Sequence, residues 1–279
     1  MLSRETKGIL KKYQIRLSKR KSQHYLVNSS ILDKIILNAD LSPDDTVLDV
    51  GAGIGTLTIP LSEKAGRVVA IEQDPQIATI LRERLEEKGI INVDVQEGDA
   101  TRLELPYFNK VVSNLPYQIS SPITFRLLEY DFDFAILMYQ LEFAERMVAK
   151  PGESKYSRLS VMINLKANVE RLFTVSKGAF LPPPRVSSAV VKLNPKKNVY
   201  LDEFLIKITR ALFQHKRKKA RKALLDSFQE WAPDKKIAKE MLSTLDSKIM
   251  DKRPFQMESE TIITISRALK KLIDQNEIN

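Results

Sequence analysis

The chain has 279 residues, 43% of them hydrophobic, a formal charge of +10 and no cysteine. That length suits one large domain and a smaller one. The missing cysteines exclude disulfides, thiolate metal sites and cysteine nucleophiles, and two histidines, His24 and His215, are too few for a multi-histidine metal centre. No apolar run reaches membrane-spanning length, and the basic start MLSRETKGILKKYQIRLSKRK lacks the apolar core of a leader. A soluble cytoplasmic protein with no metal and no membrane partner is expected.

The positive charge is clustered. Residues 1–22 hold Arg4, Lys7, Lys11, Lys12, Arg16, Lys19, Arg20 and Lys21 against Glu5 alone. They read as a basic N-terminal extension, expected to be disordered until a polyanion orders it. From about residue 40 to 140, short β-rich runs alternate with helical patterns, the signature of a parallel sheet wrapped by helices. TVLDV (46–50), RVVAIE (67–72), NVDVQEGDA (92–100, a strand and its loop), KVVSN (110–114) and DFAILMY (133–139) are the expected strands. A helix through Leu57, Leu61 and Ala65 follows the first. Asp74-Pro75 starts another, which puts Ile77, Ile80, Leu81 and Leu85 on one face. Residues 157–194 add a helix and strands near VERLFTV and SAVVKL, with the abrupt loop AFLPPPRVSS between them. After Pro195 only amphipathic helical patterns remain, at about 202–214, 218–229, 235–244 and 258–273. The expected division is therefore 1–22, 23–196 and 197–279: an extension, a Rossmann-like α/β domain and a small all-helical domain. His215 to Lys222 reads as the opening of the second helix of that last domain, with Lys216, Arg217, Lys218, Lys219, Arg221 and Lys222 free to meet phosphates. The same run also suits a solvated, solubilising face.

The first strand closes in Asp49-Val50-Gly51-Ala52-Gly53-Ile54-Gly55. Glycines here let the backbone turn sharply and approach a ligand. A dinucleotide fingerprint, G-x-G-x-x-G, would need a third glycine at Thr56, and the G-x-G-x-G found instead is more like the loop that passes around the methionine part of S-adenosylmethionine. A tight turn with no ligand is the alternative. Glu72, 21 residues after Gly51, ends the second strand, where a carboxylate can accept from both hydroxyls of a ribose. Asp99, after the third strand, can accept from the adenine amine of such a cofactor, and it suits a helix N-cap equally well. In open α/β sheets ligands bind just beyond the carboxyl ends of the strands, where all three features fall.

The fourth strand ends in Asn114-Leu115-Pro116-Tyr117. Asn114 offers a side-chain carbonyl, Pro116 rigidifies the turn so that the carbonyl before it can face the site, and Tyr117 offers a flat face for a base. Two acceptors aimed at one exocyclic amine would leave its lone pair free to react. An Asx-type turn with a packed tyrosine is the bland reading.

Asn-Leu-Pro-Tyr after a G-x-G-x-G loop resembles the amino-methyltransferases that act on adenine. More closely the chain resembles the small-subunit ribosomal RNA adenine N6,N6-dimethyltransferases, over nearly its whole length. Ser22-Gln23-His24-Tyr25-Leu26, Tyr156-Ser157-Arg158-Leu159-Ser160-Val161 and Phe180-Leu181-Pro182-Pro183-Pro184-Arg185-Val186-Ser187-Ser188-Ala189-Val190-Val191 are similar to later and earlier signatures of that family. Ser22 stands where many members carry glycine. The resemblance implies a Rossmann-like class I fold, S-adenosylmethionine as cofactor and transfer of its methyl to N6 of adenosine. It implies cofactor contacts by His24, Leu26, Gly51, Gly53, Glu72, Asp99 and Asn114, a reacting site at Asn114, Leu115, Pro116 and Tyr117, and Phe180 facing Tyr117 across the target adenine. Without it, Phe180 reads as a core residue and His24 as a helix-entry residue. The implied partners are small-subunit ribosomal RNA and the immature small subunit, met by a monomer. A large-subunit adenine dimethyltransferase, and an assembly factor in which binding dominates over catalysis, are the competing readings.

Overall fold

The computed structural model describes residues 2–15, 24–197 and 201–276; Ser22, Gln23 and the cations at 16–21 lie outside that range. The chain divides into two compact units, Met1–Ala144 with Ala167–Pro195, and Glu145–Lys166 with Lys196–Asn279.

The first unit is built on a seven-stranded sheet. In chain order its elements are α1 (Leu2–Lys12), β1 (Tyr25–Leu26), α2 (Ser29–Ala39), β2 (Thr46–Val50), α3 (Thr58–Ser62), β3 (Arg67–Glu72), α4 (Pro75–Glu87), β4 (Val93–Glu97), β5 (Lys110–Asn114), α5 (Ser120–Leu127) and β6 (Phe134–Gln140). After an excursion through α6 (Leu141–Val148) and α7 (Arg158–Lys166) come β7 (Ala167–Val175), β8 (Phe180–Leu181) and β9 (Ser188–Pro195). The strand order is β4-β3-β2-β5-β6-β9-β7. The pairs from β4 to β6 are parallel, while β9 runs antiparallel to β6 and to β7. β2 lies inside the sheet between β3 and β5 and is almost wholly buried, as a strand covered on both faces must be. Asn28 and Asp74 cap α2 and α4 by accepting backbone N–H groups with their side chains.

Asp45, just before β2, pins the start of that strand to β5. It accepts from Asn109 Nδ2 at 2.7 Å and Lys110 Nζ at 3.0 Å, while Asn109 Oδ1 accepts the Thr46 N–H at 2.8 Å. Both charged members are nearly inaccessible to water, so each needs the other. With the starts pinned, parallel register brings Val50 beside Ile71, Glu72 beside Glu97 and Asn114 beside Met138 at the other end.

The second unit is helical: α7 and part of α6 join α8 (Glu203–Gln214), α9 (Ala220–Asp226), α10 (Lys235–Thr244), α11 (Ser247–Met250) and α12 (Ser259–Asn276). Its core includes Tyr156, Val161 and Leu165 together with Leu212, Trp231 and Leu269. The Tyr156 hydroxyl donates to the Met257 carbonyl at 2.8 Å, and Trp231 Nε1 to the Leu224 carbonyl at 3.0 Å.

Two features depart from the expected division. Residues 145–166 belong with the C-terminal helices rather than with the sheet. An apolar face at 161–165 shows that it must be covered, not by what. The N-terminal segment is not a free tail over 2–12 but helix α1. Leu10, with Ile9 and Tyr13, packs against Tyr25, Ile54 and Ile77, and Lys12 pairs with Glu87 at 2.7 Å.

Candidate active site

A cavity of about 440 Å³ opens at the carboxyl ends of β2, β3, β4 and β5. That volume is in the range of small-molecule sites. His24, Leu26, Gly51, Gly53, Glu72, Asp99, Asn114, Leu115, Pro116 and Tyr117 all line it, so most of the sequence-derived site residues converge there.

The turn after β2 is held from both sides. Gly51 and Gly53 adopt φ of +74° and +58°, a left-handed conformation that costs a side-chain-bearing residue about 1–2 kcal/mol. A Cβ on Gly51 would lie 2.8 Å from two ring carbons of Pro116, so the glycine turn and the Asn-Leu-Pro-Tyr turn pack backbone against ring. Glu72 Oε2 accepts the Gly53 N–H at 2.8 Å and Oε1 accepts the Asp74 N–H at 2.9 Å. Burial raises the Glu72 pKa, against those two hydrogen bonds, which oppose the shift. The Gln73 N–H opposes the shift as well, and a carboxylate's roughly four lone-pair sites exceed what these N–H groups take up. From outside, the Arg84 guanidinium donates to the Ile54 carbonyl and to Glu5 Oε1 of α1. Neither Arg84 nor Glu5 is recognisable as a site residue in sequence, because the contact spans 79 positions.

No helix starts at Asp99, against the N-cap reading; one of its oxygens instead closes a turn. Oδ1 accepts the Thr101 N–H at 2.9 Å and the Thr101 hydroxyl at 2.7 Å, and Arg102 Nε lies 3.6 Å from Oδ2. The Thr101 hydrogen bonds hold its pKa below the usual carboxylate range. Asp49, on β2, is 1% exposed and accepts from the Thr58 hydroxyl at 2.8 Å. Burial pushes its pKa up to about 7.

Asn114 Nδ2 donates to the His24 backbone carbonyl at 3.1 Å. That bond assigns the carboxamide, because the other terminal atom, Oδ1, must then be the acceptor left for a ligand. His24 reaches this position through the short antiparallel ladder of β1 with β8, where Tyr25 pairs with Leu181 and Leu26 with Phe180. Its Nδ1 donates to the Pro182 carbonyl at 2.8 Å, and its ring lies over that of Tyr117, with centroids 5.8 Å apart and planes 28° apart.

Phe180 departs from expectation. It is 3% exposed, sits among Leu26, Ala179 and Val190, and is not part of the cavity wall. Its backbone pairing in β8 turns the side chain into the core, and the ring that meets Tyr117 is that of His24.

The donor set tests the cofactor expectation. Glu72, Asp74 and Asp99 line the cavity beside the buried, protonated Asp49, and no lysine or arginine does among the described residues. Such a wall favours a cationic, phosphate-free ligand and disfavours a pyrophosphate. S-adenosylmethionine, a sulfonium with a ribose and an adenine, fits both the charge and the acceptors.

The basic run in the helical unit is mostly engaged. Lys216 Nζ donates to the carbonyls of Ser154 (3.1 Å) and Tyr156 (2.7 Å), and Arg221 to that of Leu242. These two cations tie the helical unit together rather than standing free. Lys218 and Lys222 share Asp226, at 2.8 and 3.0 Å, and hold its carboxyl at about 2; Lys219 pairs with Asp251 at 3.2 Å. Arg217 alone of the six is exposed and has no partner among the described residues. The acids that take up this charge, Asp226 and Asp251, follow the basic run in sequence, and the helix itself starts only at Ala220.

Residues 15–257 match the family model described as ribosomal RNA adenine dimethylase. The chain is 52% identical over 268 residues to a probable ribosomal RNA small subunit methyltransferase A of Methanothermobacter thermautotrophicus, covering 96% of each. It is 48% identical over 265 residues to the protein of that name from Methanosphaera stadtmanae, covering 95% of this chain and 98% of the relative. Among solved structures, a dimethyladenosine transferase from Plasmodium falciparum superposes with a TM-score of 0.77 at 33% identity, over 89% of this chain and 98% of that one. The 23S rRNA methyltransferase ErmE superposes with 0.64 at 26%, over 88% and 99%.

Proposed function

This chain belongs to the ribosomal RNA adenine dimethylase family, and from that premise we propose how its residues divide the work. It is an S-adenosylmethionine-dependent enzyme that dimethylates adenines of small-subunit ribosomal RNA. When bound, the cofactor supplies a methyl group already activated on a sulfonium.

Glu72, with the lone-pair capacity left to it, accepts from the ribose, and Asp99 Oδ2 accepts from the cofactor's adenine amine. Gly51 and Gly53 let the backbone come close. Asn114 Oδ1 and the Leu115 carbonyl accept the two N6 hydrogens of the target adenine. The amine of adenine is a weak nucleophile because its lone pair is delocalised into the ring. Two fixed acceptors favour a pyramidal nitrogen whose lone pair is free to react. The proton leaves afterwards, when the methylated nitrogen is strongly acidic, and no general base is assigned. Extracting the base from its stack costs a few kcal/mol, and stacking on Tyr117 returns roughly 1–3 kcal/mol.

The observation that carries this assignment is the Asn114–His24 hydrogen bond, which leaves the carboxamide oxygen as the acceptor beside the glycine turn. Labelled methyl transfer to undermethylated small subunits, followed by nucleoside analysis, tests it. Asn114→Ala should lose on the order of 100-fold in turnover while calorimetry still detects cofactor binding. Turnover near that of the parent would remove the role.

The enzyme acts as a monomer in the cytoplasm on the immature small subunit. No described helix is long and apolar enough to cross a membrane. Arg217 contacts phosphates directly. Lys218, Lys219 and Lys222 join it by exchanging exposed ion pairs, which are worth about 1 kcal/mol or less, for phosphate contacts. RNA affinity should accordingly fall steeply with salt.

A further inference from the structure

We propose that Ser188 is a positioning residue for adenine capture: its hydroxyl anchors the far end of the Tyr117 ring, against which the target base stacks, while His24 limits the ring's plane. The proposal rests on the reading of Tyr117 as the stacking platform.

Tyr117 has little local support. It opens a single 3-10 turn, Tyr117–Ile119, closed by the Ile119 N–H on the Pro116 carbonyl at 3.1 Å. Such a turn sets where the side chain leaves the backbone, but it leaves the ring free to tilt. Its orientation comes from two contacts distant in sequence. The hydroxyl lies 2.6 Å from Ser188 Oγ, 71 positions away, and the His24 ring covers one face.

Ser188 is a rigid anchor. It is fully buried and begins β9, where it pairs with Gln140 of β6 on one side and Val175 of β7 on the other. A residue laddered on both sides has almost no backbone freedom, so its hydroxyl marks a fixed point. His24 is fixed in turn by Pro182 and by Asn114 Nδ2. One frame therefore sets both the ring plane and the carboxamide that accepts the N6 hydrogen. Letting the ring swing moves the stacked amine relative to Asn114, and a misplacement of about 1 Å can cost about 100-fold in rate.

Stacking itself needs only an aromatic face, which phenylalanine supplies as well as tyrosine. If the tyrosine hydroxyl matters, it matters through Ser188. Burial raises the Tyr117 pKa, so the phenol stays protonated and the pair stays neutral at assay pH.

The test compares Tyr117→Ala, Tyr117→Phe, Ser188→Ala and the double variant Tyr117→Phe/Ser188→Ala. Three quantities are read: the single-turnover rate on undermethylated small subunits, the cofactor dissociation constant and the melting temperature. Tyr117→Ala should be slowest. Tyr117→Phe and Ser188→Ala should each lose roughly 10- to 100-fold, the double variant no more than the worse single one, and cofactor affinity should not change. Rapid turnover by Tyr117→Ala would overturn the stacking reading itself. Slow turnover by Tyr117→Ala beside parental rates for Tyr117→Phe and Ser188→Ala would overturn the Ser188 role alone. Additive losses, or a lower melting temperature with an unchanged rate, would overturn it too. Should Ser188→Ala fail to fold, Tyr117→Phe decides the matter: a parental rate refutes the proposal.

Discussion

Gly51→Ala probes the contact between the cofactor turn and the reacting turn. Two costs are set by the structure. The first is conformational: at φ +74° an L-residue loses about 1–2 kcal/mol. The second is steric: the new methyl would sit 2.8 Å from Cδ and Cγ of Pro116, well inside the 3.5–4.0 Å optimum for carbon pairs, and overpacking of this kind costs about 1–3 kcal/mol. Together they come to roughly 2–5 kcal/mol, a fall of about 5–15 °C in melting temperature for a domain of this size. The strain is relieved only by moving the glycine turn or the Asn114–Pro116 turn, so cofactor affinity should weaken at least about tenfold and the transfer rate should fall further. Calorimetry and single-turnover kinetics read the two effects. Gly89→Ala is the control, since Gly89 has φ +66° but nothing within 4 Å of its would-be Cβ. It should show the conformational cost without loss of binding. If both variants bind cofactor equally well, the packing of Gly51 on Pro116 does not shape the site.

Glu72→Ala removes the acceptor for the Gly53 and Asp74 N–H groups as well as the ribose contacts. Its cofactor dissociation constant should rise by on the order of 10- to 100-fold, and an unchanged value contradicts the assignment. Asp49 stays protonated in the folded chain up to about pH 7 because it is buried, whereas in the unfolded chain it ionises near pH 4. The folded state therefore binds the extra proton between those values, and stability falls as pH rises through that window. Asp49→Asn should flatten the fall in melting temperature between about pH 4 and 7; profiles parallel to the parent's would refute this. Gly8 lies inside α1 with nothing within 4 Å of a Cβ. Gly8→Ala should stabilise that helix by up to about 1 kcal/mol, measured as slower amide exchange over residues 2–12, and faster exchange would show that the helix is strained by the added methyl.

Local chemistry is legible in a sequence because it is enforced by neighbours along the chain. Alternating apolar runs made β2, β3, β5 and β6 readable nearly to the residue, the Asp74-Pro75 pair marked the start of α4, and the glycines and Asn-Leu-Pro-Tyr marked two turns that must lie at strand ends. Parallel register then required Gly51, Glu72, Asp99 and Asn114 to converge. Side chains that act through distant partners were not legible. Lys216 and Arg221 looked free because the carbonyls they bind belong to residues 154, 156 and 242. Arg84 carries no local signal because its partners, the Ile54 carbonyl and Glu5, lie 30 and 79 positions away, and Ser188 stood where the loop AFLPPPRVSS meets the strand SAVVKL, with nothing to show that it would meet Tyr117. Only the family resemblance implied Phe180 as a stacking face; the reading of its own surroundings as core is the one that pairing with Leu26 realises. The sequence by itself determined the strands of the parallel sheet, the cofactor turn and the reacting tetrapeptide. Only the tertiary structure decided which charges are engaged, which unit owns residues 145–166 and what holds the Asn114 carboxamide and the Tyr117 ring in place. Periodicity encodes which face is buried, whereas a hydrogen bond between residues 70 or 90 positions apart exists only once the sheet has brought them together.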